Sequence, residues 1–139
     1  MQTFIWFFLS MKGRIGRQEF ALGLIGLILI DMLVVRIGKL IDSGPQYYTV
    51  AAPPGGGSIL RTLLVASLWP FAAILVKRLH DFNLSGWWAL TILAIPHLAK
   101  GLGIPYWILY LFVVATLSAL PGRPGDNRFG SDPLPRAGV

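Results

Sequence analysis

Three short polar patches along this 139-residue chain hold most of the residue types that do chemistry. They are Gly13–Arg17 (GRIGR), Arg78–Asp81 (RLHD) and Pro121–Pro133 (PGRPGDNRFGSDP). Arg14, Arg17 and Arg78 each carry a planar donor fork that matches a phosphate or a carboxylate. His80 beside Asp81 is the pairing of a general base, or one ligand of a metal site. Asp126, Asn127, Arg128 and Asp132 bring both signs of charge to a stretch whose prolines and glycines oppose regular structure. Asp31 and His97 differ from these, because each lies within an apolar run. An ionisable group at membrane depth is a functional-site hypothesis by default.

These groups need elements to position them, and the rest of the sequence supplies apolar ones. Hydrophobic residues make up 55% of the chain and charged residues 13%, against roughly 25% charged in a soluble domain. The long apolar stretches 20–35, 63–76 and 87–120 predict an all-α, integral membrane helical bundle. Residues 3–9 (TFIWFFL) are too few to cross and predict an interfacial N-terminal helix. The first span is expected at about Phe20–Ile41, with Arg36 and Lys39 snorkelling to the far headgroups. A Pro- and Gly-rich loop, Asp42–Ser58, leads to a second span at about Ile59–Val76 that contains Trp69 and Pro70. The stretch 87–120 holds a breaker-rich interruption, Ile95–Pro105, and reads best as two short spans at about Gly86–Leu98 and Ile104–Leu120. A re-entrant hairpin is the alternative. Asn83 or Ser85 suits a cap for the third span, and Trp87 and Trp88 are interface anchors.

Charge chooses the topology. With four transmembrane segments, eight of the 12 basic residues (Lys12, Arg14, Arg17, Lys77, Arg78, Arg123, Arg128, Arg136) share the side of both termini. That side is then cytoplasmic. A retained first span is favoured over a signal peptide, since Arg36–Asp42 offers no small-residue cleavage site. Residues 1–133 are expected to form a single membrane domain and 134–139 a disordered tail.

Composition also excludes. The chain has no cysteine, which removes disulfides, thiolate catalysis and iron–sulfur clusters. The net charge of +6 fits a cytoplasmic membrane face better than nucleic acid, because aromatic and basic residues are not interleaved. His97 is expected toward the opposite leaflet from His80, so no metal site and no cofactor are expected.

The segments GRIGRQEF (13–20), KRLHDFNLSGWW (77–88) and PGRPGDNRFGSDP (121–133) occur together, in this order and at this spacing. In this the chain resembles the bacterial inner-membrane family known as domain of unknown function 805, over about residues 10–133. Ala21 departs from that pattern, in which tryptophan usually follows the phenylalanine. The resemblance implies a small multi-span protein of the bacterial inner (plasma) membrane, and it brings no activity with it.

The function expected is therefore that of a non-enzymatic accessory or interaction protein. Its basic face, Arg14, Arg17, Arg78, His80, Asp81, Asp126, Asn127 and Arg128, would bind membrane lipids through anionic headgroups, a partner membrane complex, or a second copy in a homo-oligomer. The tail is expected to act as a lid, its polar side chains bonded to Arg14, Arg17 or Arg78. The alternative is a small proton-linked transporter or channel component using Asp31 and His97. Asp31 lies roughly 16 Å into the first span at about 1.5 Å per residue, and His97 or Ser67 is its expected partner. A lipid-headgroup enzyme with His80 and Asp81 as base ranks third.

Overall fold

Helices carry nearly all the regular structure in the computed structural model, which describes residues 4–42, 56–98, 103 and 105–134. They are α1 (Phe4–Leu9), α2 (Arg17–Asp42), α3 (Gly56–Asp81), α4 (Trp88–Leu98) and α5 (Tyr106–Ala119). The short N-terminal helix and all four longer helices fall where hydropathy predicts them. Most of the 42–58 loop, part of the 95–105 interruption and residues 135–139 lie outside the described residues, as do the side chains of Lys39, Arg61 and His97. Of the expected tail 134–139, Leu134 alone is described, and its amide donates to Asp132 Oδ1 at 3.0 Å.

Among the described residues, two helices are long and apolar enough to cross a membrane, over Arg17–Gly38 and Thr62–Asp81. By contrast, α4 has 11 residues and α5 has 14. At about 1.5 Å per residue each is shorter than a hydrocarbon core of about 30 Å.

Local signals explain the ends of α2 and α3. Gly16 precedes α2, and its amide donates to Glu19 Oε2 at 3.0 Å, while its carbonyl accepts from Phe20 at 3.0 Å. That is the backbone half of a capping box, with Glu19 at the third helical position. The helix thus begins at Arg17, three residues before the apolar run.

At the other end, α3 continues past Val76 through Lys77, Arg78, Leu79, His80 and Asp81. The amide of Leu84 reaches Leu79 O at 3.0 Å and that of Asn83 reaches His80 O at 2.9 Å. Asn83 adopts φ 62. This is a Schellman stop, with asparagine in the left-handed position usually taken by glycine. Asn83, expected as a cap for the following helix, instead ends the preceding one.

The core lies at one end of the bundle. Phe20, Leu24 and Leu27 of α2 cluster with Ile74, Leu75, Val76 and Leu79 of α3, and Ile15, Ala89 and Leu117 complete the group. Helix α1 lies across α3 at this end. A Cβ on Gly23 would come within 2.8 Å of the Phe7 ring and 3.1 Å of Ile74. Glycine there lets α2 approach both neighbours.

Candidate functional site

The site is built around Asp81, the last residue of α3. Its Oδ1 accepts from Arg14 Nε at 3.2 Å and from Arg14 Nη2 at 2.9 Å, and its Oδ2 accepts from Arg78 Nη1. Exposure is 4% for Arg14, 0% for Arg78 and 2% for Asp81. Two guanidinium groups on one carboxylate leave a buried positive charge, which is costly without further acceptors.

Main-chain carbonyls supply them. Arg14 Nη1 donates to Gly125 O at 2.6 Å and Gly130 O at 3.3 Å, and Nη2 to Arg123 O at 2.7 Å. With the Asp81 bonds, all five N–H donors of Arg14 have protein acceptors. Arg78 Nε donates to Leu117 O at 2.9 Å, Nη2 to Leu120 O at 2.5 Å and Nη1 to Ile15 O at 3.4 Å. Leu117 and Leu120 lie at the C-terminal end of α5, where the helix dipole is negative and end carbonyls lack intrahelical donors.

Lys77 meets the same need for α1. Its ammonium donates to Trp6 O at 2.8 Å and to Phe7 O, and stands 4.3 Å from the Trp6 ring centre. Trp69 Nε1 donates to Leu9 O at 3.0 Å. A six-residue helix, with almost no intrahelical bonding at its end, is held down by two side chains of α3.

The tail closes over Asp81 and forms its own compact turn. Asn127 and Gly130 exchange two main-chain bonds of 3.1 and 3.0 Å, and Asn127 Oδ1 accepts from the Phe129 amide at 2.9 Å. Asn127 Nδ2 donates to His80 O at 2.9 Å, and Arg128 Nη2 to Asn83 O at 3.2 Å. The Phe129 ring stacks on His80, with centroids 3.8 Å apart and planes 5° from parallel. The Arg123 amide donates to Asp81 O at 2.9 Å. At Gly122 a Cβ would fall on the Asp81 carboxylate, so any side chain there displaces it.

The three polar patches thus meet at one end of the bundle, as the sequence predicts, but their roles differ from those expected. Arg14 and Arg78 do not face headgroups, because their donors are taken by Asp81 and by carbonyls. The lid holds Arg14 through its main chain, while its carboxylates bond to the lid's own amides: Asp126 accepts from the Asp132 amide at 3.1 Å, and Asp132 from the Gly125 amide at 2.9 Å. Nor do His80 and Asp81 form a base pair. Asp81 turns to the guanidinium groups, and His80 Nδ1 lies 3.1 Å from Gly13 O. Arg17 and Arg128 stay exposed, as do Lys12 and Arg123. Trp87 and Trp88 are 77% and 52% exposed, which suits interface anchors.

Asp31 lies apart from this cluster, with Ser67 Oγ donating to its Oδ2 at 3.2 Å across α2 and α3. Of the two partners expected for it, Ser67 is the one seen; the His97 side chain lies outside the described residues.

Sequence reasoning missed Lys77, Gly122 and Phe129. Each left a trace: a very short apolar helix needs donors for its end carbonyls, and a lone phenylalanine in a polar turn needs something to cover.

Comparison with known proteins gives a consistent picture. The family described as "Protein of unknown function (DUF805)" matches residues 8–131. An Escherichia coli protein named "Uncharacterized protein YiiR" is 35% identical over 143 residues, covering 91% of this chain and 87% of the relative. "Inner membrane protein YhaH" of the same organism is 29% identical over 127 residues, covering 91% and 88%. "Inner membrane protein YhaI" is 34% identical over 70 residues, half of this chain (50%) and 49% of the relative. No solved structure matches.

Proposed function

Because this chain belongs to the DUF805 family of membrane proteins, we propose that it is a non-enzymatic accessory protein of the inner membrane, binding anionic headgroups or a partner complex through one basic face. It crosses as a bundle of four membrane segments in a single domain, α4 and α5 being the short pair, with both termini cytoplasmic. One observation carries this reading. Arg14, Lys77 and Arg78 are buried as internal fastenings, while Lys12, Arg17, Arg123 and Arg128 remain exposed at the end where the polar patches meet.

The buried set makes the face rigid and the exposed set makes it basic. Arginine suits phosphate oxygens through its fork, and each cation near an anionic surface contributes on the order of 1 kcal/mol. Replacing Arg17, Arg123 and Arg128 together with glutamine is expected to lower the anionic share of lipid that co-purifies with the detergent-extracted protein, or to release a co-purifying partner. Lipid composition and co-purifying proteins identical to those of the unaltered chain would refute the reading.

The Asp31–Ser67 bond favours a second reading, a small proton-linked transporter or channel component in which Asp31 and His97 carry the proton. Asp31→Asn should then abolish pH-dependent flux in liposomes, and undiminished flux would dismiss it.

A further inference from the structure

A cavity of about 370 Å³ lies beside His80, between α3, the start of α4 and the tail turn. That volume falls in the range of roughly 300–1,000 Å³ typical of ligand pockets. Its walls are mostly apolar, from Met11, Val76, Trp87, Leu90, Leu93 and Phe129. Trp87 and Leu90 are exposed, so they stand at its mouth on the surface that carries the interface anchors.

The polar side chains lining the cavity are Ser85 and His80, and His80 is 8% exposed. Its Nδ1 faces Gly13 O at 3.1 Å. A carbonyl only accepts, so the proton of the neutral ring sits on Nδ1 and Nε2 keeps its lone pair. Nε2 looks toward Gly86: a Cβ there would lie 3.5 Å from it. Glycine leaves that acceptor open to the cavity, and Nδ1 is the ring nitrogen that bonds to protein among the described residues.

A cation stands against the Phe129 wall of the cavity. Arg128 Cζ lies 4.6 Å from the centre of the Phe129 ring, the same ring that stacks on His80 and walls the cavity. Arg128 is exposed, and Asn83 O is its protein acceptor among the described residues. An apolar slot, a hydrogen-bond acceptor lining it and an exposed guanidinium against its Phe129 wall thus lie in one region with the exposed Trp87. Their combined complement is an apolar chain joined to an anion that bears a hydroxyl.

We propose that this cavity seats one acyl chain of an anionic phospholipid from the bilayer, with its phosphate at Arg128 and a headgroup hydroxyl donated to His80 Nε2. The proposal rests on the anionic-lipid reading above and narrows it to one seat and one headgroup chemistry. Arg128 serves both the general basic face and this seat, whereas Ala72, on the cavity wall, serves the seat alone.

Native mass spectrometry of the full chain in mild detergent tests it, titrating three dioleoyl lipids: phosphatidylglycerol, phosphatidylmethanol and phosphatidylcholine. Phosphatidylglycerol should bind with one-to-one stoichiometry and most tightly. Phosphatidylmethanol, with the charge and no hydroxyl, should come second, and phosphatidylcholine last. Arg128→Gln should weaken phosphatidylglycerol roughly fivefold, Ala72→Phe should remove the one-to-one complex, and Arg36→Gln, an exposed cation toward the far end of α2, should leave it intact. Unaltered binding by Ala72→Phe, equal losses in Arg36→Gln and Arg128→Gln, or equal binding of all three lipids would overturn the seat. If Ala72→Phe keeps its lipid while the Arg17, Arg123 and Arg128 triple variant loses it, the seat fails and the broader reading stands. Should Ala72→Phe not fold, phosphatidylglycerol with brominated chains replaces it. The saturable component of its tryptophan quenching should shrink in Trp87→Phe, and a saturable component of unchanged amplitude there would overturn the proposal.

Discussion

The two ends of α2 and α3 are built on opposite principles. At one end Phe20, Leu24, Ile74 and Leu79 are buried, and beside them Arg14, Lys77, Arg78 and Asp81 are buried too. Toward the other end Leu29, Met32, Leu33, Leu63 and Val65 are exposed, and a single hydroxyl–carboxylate bond, Ser67 to Asp31, is a polar link between the helices. For a protein in water this arrangement, with charges inside and leucines outside, would be inside out. A bilayer explains it: hydrocarbon covers the apolar faces, and lipid tails give helices little hydrophobic reason to associate. Specific association then has to come from the end that reaches the interface, where ion pairs and carbonyls impose one geometry. A buried ionic network is weak evidence for net stability, but losing one partner of it is severe.

That contrast ranks the substitutions. Asp81→Asn should have the largest effect, because it leaves two guanidinium groups without their carboxylate. A loss of about 3–5 kcal/mol is expected, read as a lower unfolding midpoint in detergent and faster proteolysis of the tail. Lys77→Met should follow. It removes the ammonium from which Trp6 O and Phe7 O of α1 accept, a charged hydrogen bond worth about 1.5–3 kcal/mol. Protease access at residues 10–13 would report the release of α1.

Gly122→Ala comes next, at about 1–3 kcal/mol for forced overpacking. The tail should become cleavable near Pro121 while the helical circular dichroism stays unchanged. Ser67→Ala belongs at the bottom, near the average of about 0.6 kcal/mol for interhelical hydrogen bonds in membranes. If Ser67→Ala destabilised as much as Asp81→Asn, the two ends would be equally cohesive and the comparison would collapse.

Much of this was legible in the residues. The apolar runs located the helices because 3.6-residue geometry satisfies the backbone wherever water is absent. The three polar patches announced themselves by composition, and the charge balance predicted that they would share an end. Their chemistry was less legible. Lys77 and Arg78 are neighbours with the same charge, yet one holds α1 and the other holds α5 and Asp81. Successive helix positions point about 100° apart, so only the packing of both neighbours reveals the division. The acidic tail residues looked like partners for the arginines, whereas the tail offers Arg14 carbonyls, which every residue type carries.

Sequence alone determined that this chain needs a bilayer, where its helices lie and which residues are available for chemistry, since those follow from local hydropathy and turn chemistry. Tertiary structure decided which cations are fastenings and which are free. Arg14 and Arg17 are three positions apart with identical side chains, but Arg14 is enclosed by Asp81 and the tail while Arg17 faces outward. Burial and hydrogen-bond satisfaction depend on segments more than a hundred residues away in the chain, and no local pattern encodes them.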